Sequence, residues 1–220
     1  MQTETIRFGN QNFTLFPGGE LFWNDRQTVI VSDLHLEKSS YFAKKDQLLP
    51  PYDSFETLSR LKKFIETKNV ENINFLGDLV HDKLAIKRMP SEIKELLLRI
   101  LKSVKPVLTL GNHDNKEIFV NLNVDICSHI VIDGICFSHM PIKNSKYQIF
   151  GHYHPKIRMK IKDLGIWKNC FLLDSKSLLM PAYGSYTGGL SIDDPEIKNN
   201  FEKNSIAYPF TKTSIFRIKI

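Results

Sequence analysis

A chain of 220 residues that is 42% hydrophobic and 11% aromatic is too apolar to stay disordered. It has no run approaching the roughly 18 apolar residues that a membrane crossing needs. Thirty Lys and Arg against 24 Asp and Glu give a net charge of +6, spread along the chain, which favours encounter with polyanions without identifying one. Three cysteines in no CxxC spacing exclude a disulfide framework and a thiolate metal site. The first ten residues lack a basic start followed by an apolar stretch, so a cytoplasmic protein with no membrane association is expected. No repeat or linker divides the sequence, and one domain over residues 1–220 is expected.

In chain order, Thr28 to Ser32 (TVIVS), Asn72 to Leu76 (NINFL) and Pro106 to Leu110 (PVLTL) are apolar, β-branched runs predicted as buried strands. Between the first two, Asp53 followed by Glu56 predicts a capping box that opens a helix with Phe55, Leu58, Leu61 and Ile65 on its apolar side. Between the second and third, Ser91 is predicted to cap a helix whose Ile93, Leu96, Leu97, Ile100 and Leu101 form one stripe. Alternation of strand and helix implies parallel βαβ units. Beyond Asn115 the segments Ile130 to Ser138, Tyr147 to Phe150, Lys156 to Lys162, Cys170 to Asp174 and Ser214 to Ile220 read as shorter strands. Ser191 to Ser205 reads as a surface loop with at most a short helix.

Polar residues gather just past the predicted strand ends. Asp33 and His35 follow the first strand, Gly77-Asp78 the second and Gly111-Asn112-His113-Asp114 the third, while His139 and Gly151-His152-Tyr153-His154 close two later runs. Ligand sites in open α/β sheets lie at that edge. Residues two apart in extended chain share a side, so Asp33 is expected to aim with His35, and His152 with His154. Carboxylates, imidazoles and a carboxamide without thiolate suit first-row divalent ions such as Mn, Fe, Co or Zn.

The order D-x-H, G-D, G-N-H-D, a lone His and G-H-x-H resembles the calcineurin-like metallophosphoesterases. The segments LPPYD and MPAYGSYTGGL extend the resemblance to the bacterial endonucleases of that family that are associated with a DNA ligase in the DNA damage response. The resemblance implies an α/β sandwich of two mixed β-sheets flanked by helices, in four αββα layers. It implies two divalent metal ions, manganese first with iron, cobalt or zinc as alternatives. Asp33, His35, Asp78 and His154 would hold one ion and Asp78, Asn112, His139 and His152 the other. His113 would assist the leaving oxygen, and Asp114 would fix its tautomer. The implied activity is hydrolysis of phosphodiester bonds in DNA by activated water, beside a ligase, a helicase and an exonuclease.

Substrate contacts are expected from His81 at the cavity rim, from the alternating cations Lys156, Arg158, Lys160 and Lys162, and from Tyr183 and Tyr186 as stacking rings. A solvated edge strand explains the cations equally well, and a tight turn explains the tyrosines. Two other functions remain open: a phosphoesterase for cyclic nucleotides, dinucleoside polyphosphates or phosphomonoesters, and a binding scaffold with a silent centre.

Overall fold

Val29, Ile30 and Val31 show in three residues how the architecture arises. Val29 and Val31 face a layer of helices, while Ile30 between them faces a second sheet. The computed structural model describes residues 1–161 and 164–220. Its first sheet has seven strands in chain order: β1 (Glu4–Phe8), β2 (Gln11–Leu15), β3 (Leu21–Trp23), β4 (Thr28–Val31), β5 (Asn72–Leu76), β6 (Lys105–Thr109) and β7 (Asp125–Cys127). The first four pair antiparallel, and β4 to β7 pair parallel. The crossovers carry α1 (Lys38–Ala43) and α2 (Asp53–Lys68), then α3 (Ala85–Arg88) and α4 (Ser91–Ser103).

The second sheet is built from β8 (His129–Ile132), β9 (Ile135–Ser138), β10 (Tyr147–Phe150), β11 (Lys156–Ile161), β12 (Leu164–Leu173), β13 (Ser177–Leu179), β14 (Ile206–Pro209) and β15 (Ile218–Lys219). Its order is β15-β14-β12-β13-β10-β9-β8, with β11 attached to β12 alone. A short helix, α5 (Pro195–Lys198), packs Ile197 on its outer face with Phe150 and Leu179. Between the sheets, Phe13, Trp23, Ile30 and Leu76 meet Phe137, Ile149, Phe171 and Leu178. Trp23 stacks on Phe137 with ring centroids 5.7 Å apart. Leu58 and Leu61 of α2 and Leu97 and Leu101 of α4 cover the opposite face of the first sheet. The layers are therefore helix, sheet, sheet and helix, as the family resemblance implies. Among the described residues, no helix is long and apolar enough to cross a membrane.

Several local expectations give way to tertiary structure. The run Ile130 to Ser138 is a hairpin rather than one strand, because Asp133 and Gly134 both take positive φ (49° and 77°) and turn the chain between β8 and β9. Asp53 does not cap its own helix. Its carboxylate accepts the backbone N–H of Ser39 at 2.9 Å and the Ser39 hydroxyl, and so ties α2 to α1. Cys170 to Asp174 is the inner end of a ten-residue strand, and Ser214 to Ile220 contributes only β15. The predicted strand position Lys162 lies outside the described residues. The antiparallel strands β1, β2 and β3 were not expected, since each is short and is separated from the next by a turn containing glycine.

Candidate metal centre

The carboxyl ends of β4, β5 and β6 and the ends of β9 and β10 point to one edge of the sandwich, and each releases its polar residues there. The chain does not stay extended past those ends. Asp33, His35, Asp78, His152 and His154 all adopt positive φ, between 45° and 75°. Such left-handed backbone costs roughly 1–3 kcal/mol per non-glycine residue, and it is kept where the surrounding structure forces a side chain into a required direction. Strand alternation therefore fails as the aiming device, and His152 and His154 part company. Gly77, at φ 76°, makes the turn before Asp78, and a Cβ there would run into the His139 ring.

Two nests result. Asp33, His35 and His154 offer ligand atoms within 4.8 Å of one another, and so do Asp78, His139 and His152. In the first, His154 Nε2 stands 3.1 Å from Asp33 Oδ1 and 3.3 Å from His35 Nε2. In the second, His139 Nε2 is 3.0 Å from both His152 Nδ1 and Asn112 Oδ1. Asp78 Oδ2 lies between the nests, 3.8 Å from His35 Nε2 and 3.5 Å from His139 Nε2. Asp78 Oδ1 accepts the His113 backbone N–H at 2.9 Å, and His139 Nδ1 donates to the Leu76 carbonyl at 3.0 Å, which leaves Nε2 free to face the nest.

The donor set fits divalent cations on its own chemistry. Asp33 Oδ1 is buried without a hydrogen-bond partner, and imidazole nitrogens crowd against one another with too few protons to satisfy them. Burial pushes His35 down to about 2 and lowers His152 as well, so these rings present lone pairs rather than charge at neutral pH. Burial by itself would raise Asp33, yet the imidazoles of His154, His139 and His35 hold its carboxyl well below the usual range. Burial raises Asp78 against the pull of His139 and the His113 N–H. An acid pushed up between imidazoles pushed down is a site that lacks positive charge.

The His113 ring hydrogen-bonds through Nδ1 to the His81 carbonyl at 2.8 Å. This corrects the expectation that Asp114 fixes its tautomer. Asp114 instead accepts the Gly111 N–H at 3.0 Å and the Val80 N–H at 3.4 Å, so it shapes the loops that carry Asn112 and Asp78. Burial pushes its carboxyl up to about 6. His81 enters the site more closely than a rim residue. It stacks on His113 with centroids 5.3 Å apart, lies against Tyr41 and Phe42, and groups with His35 and His113 within 4.8 Å.

Among the expected substrate contacts, Lys156 lies beside the nests, with Nζ 3.3 Å from the Thr187 carbonyl, and Arg158 continues along β11. Tyr186 is exposed in a turn beyond β13. Tyr183 is not available for stacking. It is 1% exposed, its hydroxyl donates to Glu20 at 2.9 Å, and its ring lies under Arg60. Arg88 pairs with Asp82 and bonds Ser40 Oγ at 3.2 Å, which ties α3 to α1. The sequence reading missed Lys38. Burial and then the Lys156 ammonium lower it, and its charge reaches His35 and His81. The available signal was a lysine three residues after His35, which α1 turns back toward the site.

The profile of the calcineurin-like phosphoesterase family matches residues 26–209. No curated protein matches the sequence. Among solved structures, the chain resembles the Pseudomonas putida nuclease MPE at a TM-score of 0.74 and 22% identity, over 99% of this chain and 100% of the other. The phosphoesterase Yfce from E. coli aligns over 88% of this chain and 98% of its own, at 14% identity and a TM-score of 0.47.

Proposed function

The chain belongs to the calcineurin-like phosphoesterase family, and on that premise we propose that it is a manganese-dependent endonuclease that hydrolyses phosphodiester bonds in DNA. The observation that carries the reading is the pair of nests joined through Asp78. Asp33, His35 and His154 would hold one divalent cation, and Asn112, His139 and His152 the other, with Asp78 shared. Bound there, two divalent cations would supply four positive charges against the two negative charges of Asp33 and Asp78, and with them the Lewis acidity that lowers the pKa of water and draws charge from a phosphoryl oxygen.

This chain's own residues supply the rest. Nδ1 of His113 keeps its proton against the His81 carbonyl, so Nε2 is the nitrogen that takes up a proton from solvent and passes it to the leaving oxygen. Asp114 holds the Gly111 and Val80 amides and thereby the loop on which Asn112 and His113 sit. Lys38 and Lys156 place positive charge at the rim, where the next phosphates of a polynucleotide would lie. Support for DNA comes from the likeness to a nuclease over the whole length of both chains, and from the cations of β11. On this reading the protein works in the cytoplasm with a DNA ligase, a helicase and an exonuclease of one repair system.

The test is a manganese titration with circular single-stranded DNA, circular duplex, a cyclic nucleotide and a bis-aryl phosphodiester as substrates. Linear product from a circle demonstrates internal cleavage. Hydrolysis confined to the small esters removes the DNA reading, and turnover that persists in thoroughly chelated protein removes the metal.

A further inference from the structure

The hairpin of β11 and β12 hangs on the second sheet through β12 alone, and its two faces differ in chemistry. The register pairs Lys156 with Asn169, Arg158 with Trp167 and Lys160 with Gly165. Strand alternation therefore puts Lys156, Arg158, Lys160 and Trp167 on one face, and Ile157, Met159 and Ile166 with a single cation, Lys168, on the other. Successive cations on that face are about 7 Å apart. Trp167 is 52% exposed, whereas the other tryptophan of the chain, Trp23, is fully buried in the core.

Trp167 borders a groove of about 330 Å³. Among the described residues its lining includes the cations Arg60, Lys168 and Lys212 and no carboxylate. Arg60 is held in place. Its guanidinium lies 4.1 Å from the centroid of the Tyr183 ring and donates to the Tyr183 carbonyl, and its buried Nε has no partner. The groove shares a wall with the metal centre, because the Tyr183 N–H donates to Ser32 O at 2.8 Å and the Gly184 N–H to Asp33 O at 3.1 Å. A Cβ on Gly184 would strike the Leu34 carbonyl, so only glycine permits this approach. Lys156, at the root of the cationic face, is two residues from His154.

We propose that Trp167, between Arg158 and the Arg60–Lys212 groove, is a stacking platform for an unpaired nucleobase and holds a single strand beside the metal centre. The inference rests on the DNA reading above and adds to it a binding site and a preference. An exposed indole with Arg158 opposite it on the strand pair and Arg60 and Lys212 in the adjoining groove meets both needs of an unpaired polynucleotide: a π-face for the base and positive charge for the phosphates on either side. A duplex keeps its base faces covered and gains only the charge.

The experiment titrates oligothymidylate into metal-free protein while tryptophan emission is followed. With Trp23 buried, saturable quenching reports Trp167, and it is expected in the wild type and absent from Trp167→Phe. With manganese present, Trp167→Ala is expected to raise KM for a single-stranded oligonucleotide on the order of 10- to 100-fold, with kcat little moved. Trp167→Phe should restore most of the loss, because it keeps an aromatic face. The ratio of oligonucleotide to bis-aryl phosphodiester hydrolysis should fall in the alanine variant. Wild-type protein that cleaves single strands without quenching, and with KM unchanged in Trp167→Ala, overturns the platform while leaving the nuclease reading intact. Protein that neither binds nor cuts DNA overturns both.

Discussion

The metal nests and the β11–β12 hairpin lie next to each other and are built on opposite principles. Every predicted ligand except the exposed Asn112 is at least partly buried, strand ends from both sheets fix them all, and five are held in left-handed backbone. The outer half of the hairpin is exposed, only the inner end of β12 pairs with β13 and β14, and the hairpin's cationic face carries one exposed aromatic ring. Ångström-level placement of charge needs the first kind of construction, since small displacements cost rate. Following an irregular polymer needs the second.

Changes in the nests should be nearly all-or-none. Asp78→Asn removes a carboxylate oxygen that lies between the nests, facing an imidazole Nε2 of each. We expect metal content to fall at both and turnover to drop to background, read by elemental analysis and by rate on a phosphodiester. His113→Ala should lower turnover by roughly 10²–10⁴-fold with metal content nearly intact. Equal metal loss in the two variants would make His113 a ligand instead. A platform that both regions depend on predicts a third effect. Phe137→Ala opens the inter-sheet core beneath Trp23 and should cost about 3–5 kcal/mol in denaturant unfolding, with native-like metal binding in the fraction that stays folded.

The smallest effect concerns the wall between the two regions. Burial raises the Glu20 carboxyl in the folded state, against the countering pull of backbone amides, Arg60 and the Tyr183 hydroxyl. A folded value above the unfolded one means that the stabilising difference is present below the ordinary glutamate value of 4.5 and is lost as pH rises through the raised one. Glu20→Gln carries no such loss. The melting temperature of the variant relative to wild type should therefore climb as pH is taken upward from 4.5. A difference that does not change with pH would show that Glu20 is not charged at a cost in this wall.

Much of the fold was legible because burial and periodicity are local. Val29 to Val31 and the stripes of α2 and α4 announce themselves within a few residues. The hairpin at Asp133-Gly134 was legible in principle through its turn dipeptide, but a continuous apolar run hid it. Asp53 and Tyr183 were misread for a different reason. Each matches a local pattern, a helix cap or an exposed stacking ring, and each is claimed by partners distant in sequence, Ser39 for one and Glu20 and Arg60 for the other. Trp167 carried no signal, since an aromatic residue in a strand is more often core, and only its exposure sets it apart.

The sequence by itself marked the βαβ strands and helices of the first half and the donor side chains that follow the strand ends, because apolar period and donor chemistry are properties of the residues themselves, while the two-sheet sandwich and the ligand set are what the family resemblance implied. The tertiary structure realises the division of those donors that the resemblance implied, against the shared aim that strand alternation suggested. It sends His152 and His154 to different nests, gives the His113 ring to the His81 carbonyl and lays Trp167 along a cationic groove. These outcomes depend on backbone that leaves the strands in left-handed turns and on contacts between segments far apart in the chain, which no local spacing encodes.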